Sequence, residues 1–311
     1  MKTVPQECTI VMYHYVRNMQ ETEYPGIKGL LIEKFKKQID YLASHYTIIS
    51  LQEYVDAMSG KKSLPEKTCI LTFDDGFRDH YTNVFPILKA KNLPATFFPQ
   101  TQPLTEHTVP AAHKNHFLLA KFGAEVLAPE FNELLKVKFP ELVSSHVVDG
   151  AVKKDARYKW DDNLTANLKL SIATLPIDSK NQILDSLFAK YFTNEKAFCD
   201  ELYMNTDEMK EMIRGGMSFG GHCHTHPSLS AMSKEEQEGE IKKGKEILEK
   251  SLGMPITLFA YPYGNYNQDT IDILKKEGFV CGLTTHFDIN RGLDVDLFEL
   301  KRLDTNDVPF E

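Results

Sequence analysis

A chain of 311 residues, 42% hydrophobic and 26% charged, can bury the core of one large domain or two modest ones. Its net charge of −8 argues against nucleic acid or an anionic membrane as the main partner. No apolar run approaches the roughly 20 residues of a membrane span, so no integral membrane segment is expected.

The first residues, Met1 to Cys8, contain no apolar h-region, so no signal peptide is expected. Five cysteines (8, 69, 199, 223 and 281) are odd in number and widely spaced, which suits a reduced, cytoplasmic chain better than a disulfide framework. Cys8 to Tyr13 reads as a buried strand. It ends at His14, either a hydrogen-bonded structural residue or an active-site group. Ile32, Phe35, Ile39 and Leu42 recur at helical spacing and predict an amphipathic helix over 31–44. A short strand at 46–50 and a small helix over 51–58 follow. The run from Thr68 to Phe73 is apolar and β-prone and stops at Asp74, Asp75 and Gly76. An Asp-Gly turn is the ordinary explanation. Acids at the exit of a buried strand also mark the end of an α/β fold where ligands gather. Tyr81, Val84, Phe85 and Leu88 mark the next helix, with Pro86 near its start or kinking it. Ala95 to Phe98 is a further strand, which completes a βαβ unit with parallel strands.

From 102 to 215 the rhythm changes. Helices are predicted near 118–122 and over 127–139, 181–191, 197–203 and 206–215, as a mostly helical insertion at 102–215 within a single domain of 1–311. Histidines 107, 113, 116 and 146 and the only tryptophan, Trp160, fall here, at spacings too irregular to argue a metal site. After 217 the alternation resumes. A strand at 217–222 precedes a helix opened by the capping box Ser233-Lys-Glu-Glu236 and closed at Gly253. A strand at 256–260, a helix capped by Asn267 and a strand at 279–285 follow. The pattern predicts an α/β fold, a (β/α) barrel with the insertion between its halves.

His222 and His226 are four residues apart, with His224 between them and Pro227 directly after. On one helical turn this spacing puts two imidazoles on one face, a usual way to hold a metal. His224, and Cys223 by the same geometry, should point away. One carboxylate would complete three protein ligands and leave room for water and substrate. Asp74 and Asp75 together offer one carboxylate for a metal and one for proton transfer. A polar, His-rich loop is the plainer alternative.

Thr72-Phe-Asp-Asp-Gly76, His222-x-x-x-His226-Pro227 and Tyr261-Pro-Tyr-Gly264 resemble, in order and spacing, successive motifs of the polysaccharide deacetylase family (NodB homology, carbohydrate esterase 4). The resemblance covers about 8–100 and 216–285 and implies a distorted (β/α)7 barrel with a divalent metal, zinc foremost. It implies Asp74 as general base, Asp75, His222 and His226 as metal ligands, and the backbone N–H of Tyr263 as oxyanion donor. Tyr261, Pro262 and Arg302 are expected at the substrate. The chain departs from the family at Cys223, where many members have Ser or Thr, and at Ala260, where many have the arginine that orients the base. Arg302 and Arg78 are the candidates to replace that arginine. There is no late Leu-x-His motif to supply the catalytic acid. The Met12-Tyr13-His14 start resembles a branch in which the N-terminal histidine takes that role, so His14 is preferred to His286.

The expected activity is metal-dependent removal of an N-acetyl, or N-formyl, group from an amino sugar in O-antigen-like surface polysaccharide (lipopolysaccharide) assembly. The expected partner is an amino-sugar glycan, a lipid-linked intermediate or a sugar nucleotide. A metal-dependent amidohydrolase acting on a non-sugar amide is the alternative, and a binder that has lost activity is a third.

Overall fold

The computed structural model describes residues 7–150, 161–292 and 295–310. Trp160 and the rest of 151–160 lie outside them. The chain divides into two compact units. The first comprises the chain up to Asn18, Gly29–His107 and the chain from Cys199; the second comprises Met19–Lys28 and Thr108–Phe198.

The first unit alternates strands and helices: β1 (Glu7–Tyr13), α1 (Ile32–His45), β2 (Thr47–Ile48), α2 (Leu51–Met58), β3 (Lys67–Asp74), α3 (Phe85–Ala90), β4 (Thr96–Phe98) and α4 (Gln102–Glu106). The second unit contains α5 (Ala111–Lys138), α6 (Val143–His146), α7 (Asn163–Thr174) and α8 (Ile177–Tyr191), and α9 (Glu195–Leu202) begins in it. The first unit then resumes with α10 (Thr206–Arg214), β5 (Ser218–Phe219), α11 (Lys234–Leu252), β6 (Leu258–Ala260), α12 (Gln268–Lys276), β7 (Cys281–Leu283), β8 (Asn290–Arg291) and β9 (Leu303–Asp304).

Seven of these strands form a closed parallel ring. β1 pairs with β3 along its full length, from Glu7↔Lys67 to Tyr13↔Phe73. β3 pairs with β4 and β4 with β5. Gly221, just past β5, bridges to Phe259 of β6, and β6 pairs with β7. Leu283 of β7 bridges to Leu300, and the same stretch returns as β9 to β1 (Val11↔Leu303). The result is a distorted (β/α)7 barrel, loosest where single bridges replace ladders. β2 flanks β3, and β8 runs antiparallel against the start of β1.

Side chains alternate across each strand, and the strands of a parallel ring are buried on both faces. On β3, Cys69, Leu71 and Phe73 join the larger apolar cluster with α1, α3 and α11. Ile70 joins a second cluster with Ile10, Phe98, Leu258, Ala260, Leu283 and Leu300. Thr72 and Asp74 continue the Ile70 row. The alternation thus delivers Asp74 to the carboxyl end of the row that faces Leu283 and Leu300.

In the second unit, α5 is two helical segments joined at Gly123, whose φ of 72° breaks the helix. The sequence predicts two helices there, around 118–122 and over 127–139. Lys114 on α5 pairs with Asp185 of α8 and Glu195 of α9. Among the described residues no helix is long and apolar enough to cross a membrane.

Candidate active site

The Asp-Asp-Gly turn sends its two carboxylates to different partners. Asp74, the last residue of β3, is 2% exposed and receives a fork of hydrogen bonds from Arg302, Nη1 to Oδ1 at 2.9 Å and Nη2 to Oδ2 at 2.7 Å. Arg302 is 1% exposed and also donates to Thr284 O (2.7 Å) and Thr72 Oγ1 (3.3 Å). Burial alone would push the Asp74 carboxyl up. The Arg302 guanidinium, with His222 and His14 adding to it, holds it below its ordinary value.

Asp75 follows with φ 75°, and Gly76 with φ 70°. Two successive left-handed residues turn the chain off the strand, and Asp75 N is tied to Phe98 O at 3.0 Å. The turn brings Asp75 Oδ1 to 3.6 Å from His222 Nε2 and 3.3 Å from His226 Nε2. Gly76 is needed here on two counts: its φ, and Pro99 Cβ, which an added Cβ would meet at 2.6 Å.

The two histidines converge by a route other than the helical turn the sequence suggests. Residues 222–226 form an irregular loop in which Cys223 (φ 63°) and His226 (φ 60°) are left-handed. Such conformations persist where surroundings over-determine them. The Glu240 carboxylate on α11 accepts from His224 N (3.1 Å), Thr225 N (2.8 Å) and Thr225 Oγ1 (2.9 Å). His224 turns away from the trio, to Thr101 Oγ1 and Glu106 Oε1, both at 2.9 Å. Cys223 is buried against α11, which approaches so closely at Gly244 that a Cβ would meet Cys223 C at 2.8 Å.

His222 Nδ1 donates to Ala260 O at 2.7 Å. That bond fixes the tautomer and leaves Nε2 as the acceptor facing Asp75. Burial works against charge on His222, and the carboxylates of Asp75 and Asp74 outweigh it and raise its pKa. The ligand atoms of Asp75, His222 and His226 lie within 4.8 Å of one another, and no other such cluster exists among the described residues. Two imidazoles and one carboxylate are the donor set of an open divalent transition-metal site, so these residues fit the group the motifs imply.

The remaining candidates divide. His14, at the exit of β1, is half-buried and close enough to Asp74 for its charge to act on it. His286 is exposed on the loop after β7, its ring 6.3 Å from that of Tyr266. Tyr263 is exposed, with φ 57°, and its ring stands edge-on to His226 at 4.5 Å. Tyr261 and Arg302, expected at the substrate, present no side-chain surface to solvent. The Tyr261 hydroxyl donates to Phe298 O, and Pro262 beside it is buried too. Arg78 is paired with Glu208, and among the described residues the guanidinium on Asp74 is that of Arg302. Histidines 107, 113, 116 and 146 lie outside the ligand trio. Glu240, Gly244 and the side chains around His14 are absent from the sequence reading. Their roles depend on which helix faces which loop, and no local pattern encodes that.

The barrel gathers an acid pair and two histidines at one mouth, and three of these side chains could hold a metal ion. The chain belongs to the polysaccharide deacetylase family, whose sequence model matches residues 61–150 and 179–282. It is 27% identical over 235 residues to the poly-β-1,6-N-acetyl-D-glucosamine N-deacetylase of Escherichia coli strain K12, a match covering 75% of this chain and 27% of that protein. It is 27% identical over 191 residues to the protein of the same name in Staphylococcus epidermidis, covering 60% and 59%. The match therefore spans less than two thirds of the length of either relative. In fold it is similar to the deacetylase PplD of Streptococcus pyogenes, solved with acetate (TM-score 0.61, 22% identity, 97% and 93% covered). It is also similar to IcaB of Ammonifex degensii (TM-score 0.59, 18% identity, 98% and 94% covered).

Proposed function

We propose that the protein is a metal-dependent hydrolase that removes the N-acetyl group from an amino sugar of a surface glycan. One observation carries the reading. Asp74 and Asp75 are neighbours in sequence, yet one is forked to Arg302 and the other faces two histidines. That division supports reading Asp74 as the base and Asp75 as a metal ligand.

Asp75, His222 and His226 would hold the metal, with zinc the best match to two nitrogens and one oxygen. When bound, it supplies a Lewis acid for the acyl oxygen and a water of lowered pKa. Asp74, kept ionised and aimed by Arg302, takes the proton of the attacking water. Arg302 does the orienting work of the arginine that many relatives have where this chain has Ala260. The backbone N–H of Tyr263 donates to the oxygen that gains charge. As the C–N bond breaks, His14 gives a proton to the leaving amine. The products are acetate and the free amino sugar.

A β-1,6-linked N-acetylglucosamine oligomer, the glycan in the names of the two relatives above, is the first substrate to test. Sugar nucleotides and lipid-linked intermediates of O-antigen-like assembly follow, with N-formyl analogues. The five cysteines are all free thiols, which supports a reducing, cytoplasmic setting for these donors. Zinc-loaded protein should release acetate or formate from at least one of them. Release from simple non-sugar amides and from none of the glycans would move the protein to the amidohydrolase reading.

A further inference from the structure

The loop that carries His14 is held by side chains from a single turn of helix. His80 Nε2 donates to His14 O at 2.9 Å. Asp79 Oδ2 accepts from Val16 N at 3.2 Å and from Arg17 Nε at 2.6 Å. Asn83 Nδ2 donates to Val16 O at 2.8 Å. From the other side, Leu30 N donates to Tyr15 O at 2.9 Å and Leu30 O accepts from Arg17 N at 3.0 Å. The Tyr15 ring stacks on Phe77 at 4.0 Å. A four-residue loop thus has five backbone groups engaged, three of them by Asp79, His80 and Asn83.

The turn has an unusual shape for a physical reason. Pro86 has no N–H, and its ring would clash with the carbonyl four residues earlier in a regular helix. The chain widens into a π-turn over His80–Val84, with Phe85 N bonded to His80 O, before α3 begins. Single π-turns inside helices often mark functional positions. Asp79 and Asn83 lie one turn apart and so share a face toward the loop. His80 is fully buried among the rings of Phe73, Phe77 and Phe97. Its Nδ1 has no hydrogen-bond partner among the described residues, so the one bond this imidazole makes goes to His14 O. A buried imidazole with one nitrogen unpartnered costs stability, which directs attention to the one bond it makes.

We propose that Asp79, His80 and Asn83 are positioning residues for the reaction: they clamp the backbone of 14–17 so that the His14 imidazole meets the leaving amine. This rests on the reading of His14 as the proton donor. The hydrogen bonds described for the three residues go to the 14–17 loop, so they should act mainly on the chemical step. Displacing a catalytic group by about 1 Å can cost on the order of 100-fold.

The test compares His14→Ala, His80→Phe, His80→Gln, Asn83→Leu and Asn83→Asp, each zinc-loaded, on the best glycan found above. His80→Phe and Asn83→Leu should lower kcat about 10- to 100-fold, with KM within about twofold and zinc affinity by calorimetry unchanged. His80→Gln, which keeps a donor, should recover much of the loss. In a His14→Ala background, Asn83→Leu should cost nothing further, because nothing remains to be positioned. Asn83→Asp removes the donor at constant shape and carries the test if the leucine variant does not fold. Wild-type kcat in folded His80→Phe and Asn83→Asp, with His14→Ala impaired, overturns the clamp and leaves the role of His14 intact. Wild-type kcat in His14→Ala overturns both.

Discussion

Arg302 and Asp74 meet through two parallel N–H···O bonds, 2.9 and 2.7 Å long, although 228 residues separate them in sequence. Both are almost fully buried. The fork fixes the plane of the carboxylate as well as its charge, which a single lysine ammonium cannot do. It joins the end of β3 to the entry of β9, the two strands that flank β1 in the ring.

Breaking that pair from one side should be costly. Arg302→Met leaves an uncompensated buried carboxylate and should lower unfolding free energy by about 3–5 kcal/mol. Adding Asp74→Asn to it removes the stranded charge and should restore a large part of the loss. Urea denaturation of the two single variants and the double variant measures this. Losses that simply sum would show that the residues are not energetically coupled.

The two acids should fail differently. Asp75→Asn removes one of three ligands and should weaken zinc binding by calorimetry by at least 10-fold. Asp74→Asn should leave zinc in place and lower kcat about 100- to 10,000-fold, the range of a positioned acid or base. Equal loss of metal in both variants would undo the division of roles.

Gly244 sets how closely α11 can approach the histidine loop. In Gly244→Ala the new Cβ would stand 2.8 Å from Cys223 C and 2.9 Å from its O, both backbone atoms that cannot swing aside. The loop or the helix must shift, so zinc affinity should fall about 10- to 100-fold without any ligand being touched. Gly239→Ala on the same helix meets nothing within 4 Å and is the control. It should bind zinc normally and gain up to about 1 kcal/mol of stability.

The parts of this site that lie along the chain were legible in its sequence. The β3 run, its acids, His222 and His226 declare themselves through short-range pattern, because a strand exit and a four-residue spacing are local facts. The conformation of 222–226 was not legible. Two left-handed non-glycine residues are a strain imposed by Glu240 and α11, and no propensity scale reports it. Arg302 could be named as a candidate only because an expected arginine was missing. Its pairing with Asp74 needs the ring to close. The π-turn at His80 was half visible, as a proline in a place where a regular helix would be interrupted.

His80 gives the protein a pH dependence that can be assigned to one residue. Burial drives its pKa from 6.5 down to about 4, against the opposing pull of the His14 carbonyl and the nearby acids. Between these values the unfolded chain binds a proton that the native chain refuses. Stability from this group is therefore complete above about pH 6.5 and declines as pH falls toward 4. The lowered pKa corresponds to a loss of about 3 kcal/mol across that window. His80→Gln keeps a donor for His14 O and has no proton to take up. Urea midpoints at pH 7.5 and pH 5 on metal-free protein should draw apart for the wild type. They should draw apart markedly less for the variant. The same spread in both would mean that His80 is not the group responsible.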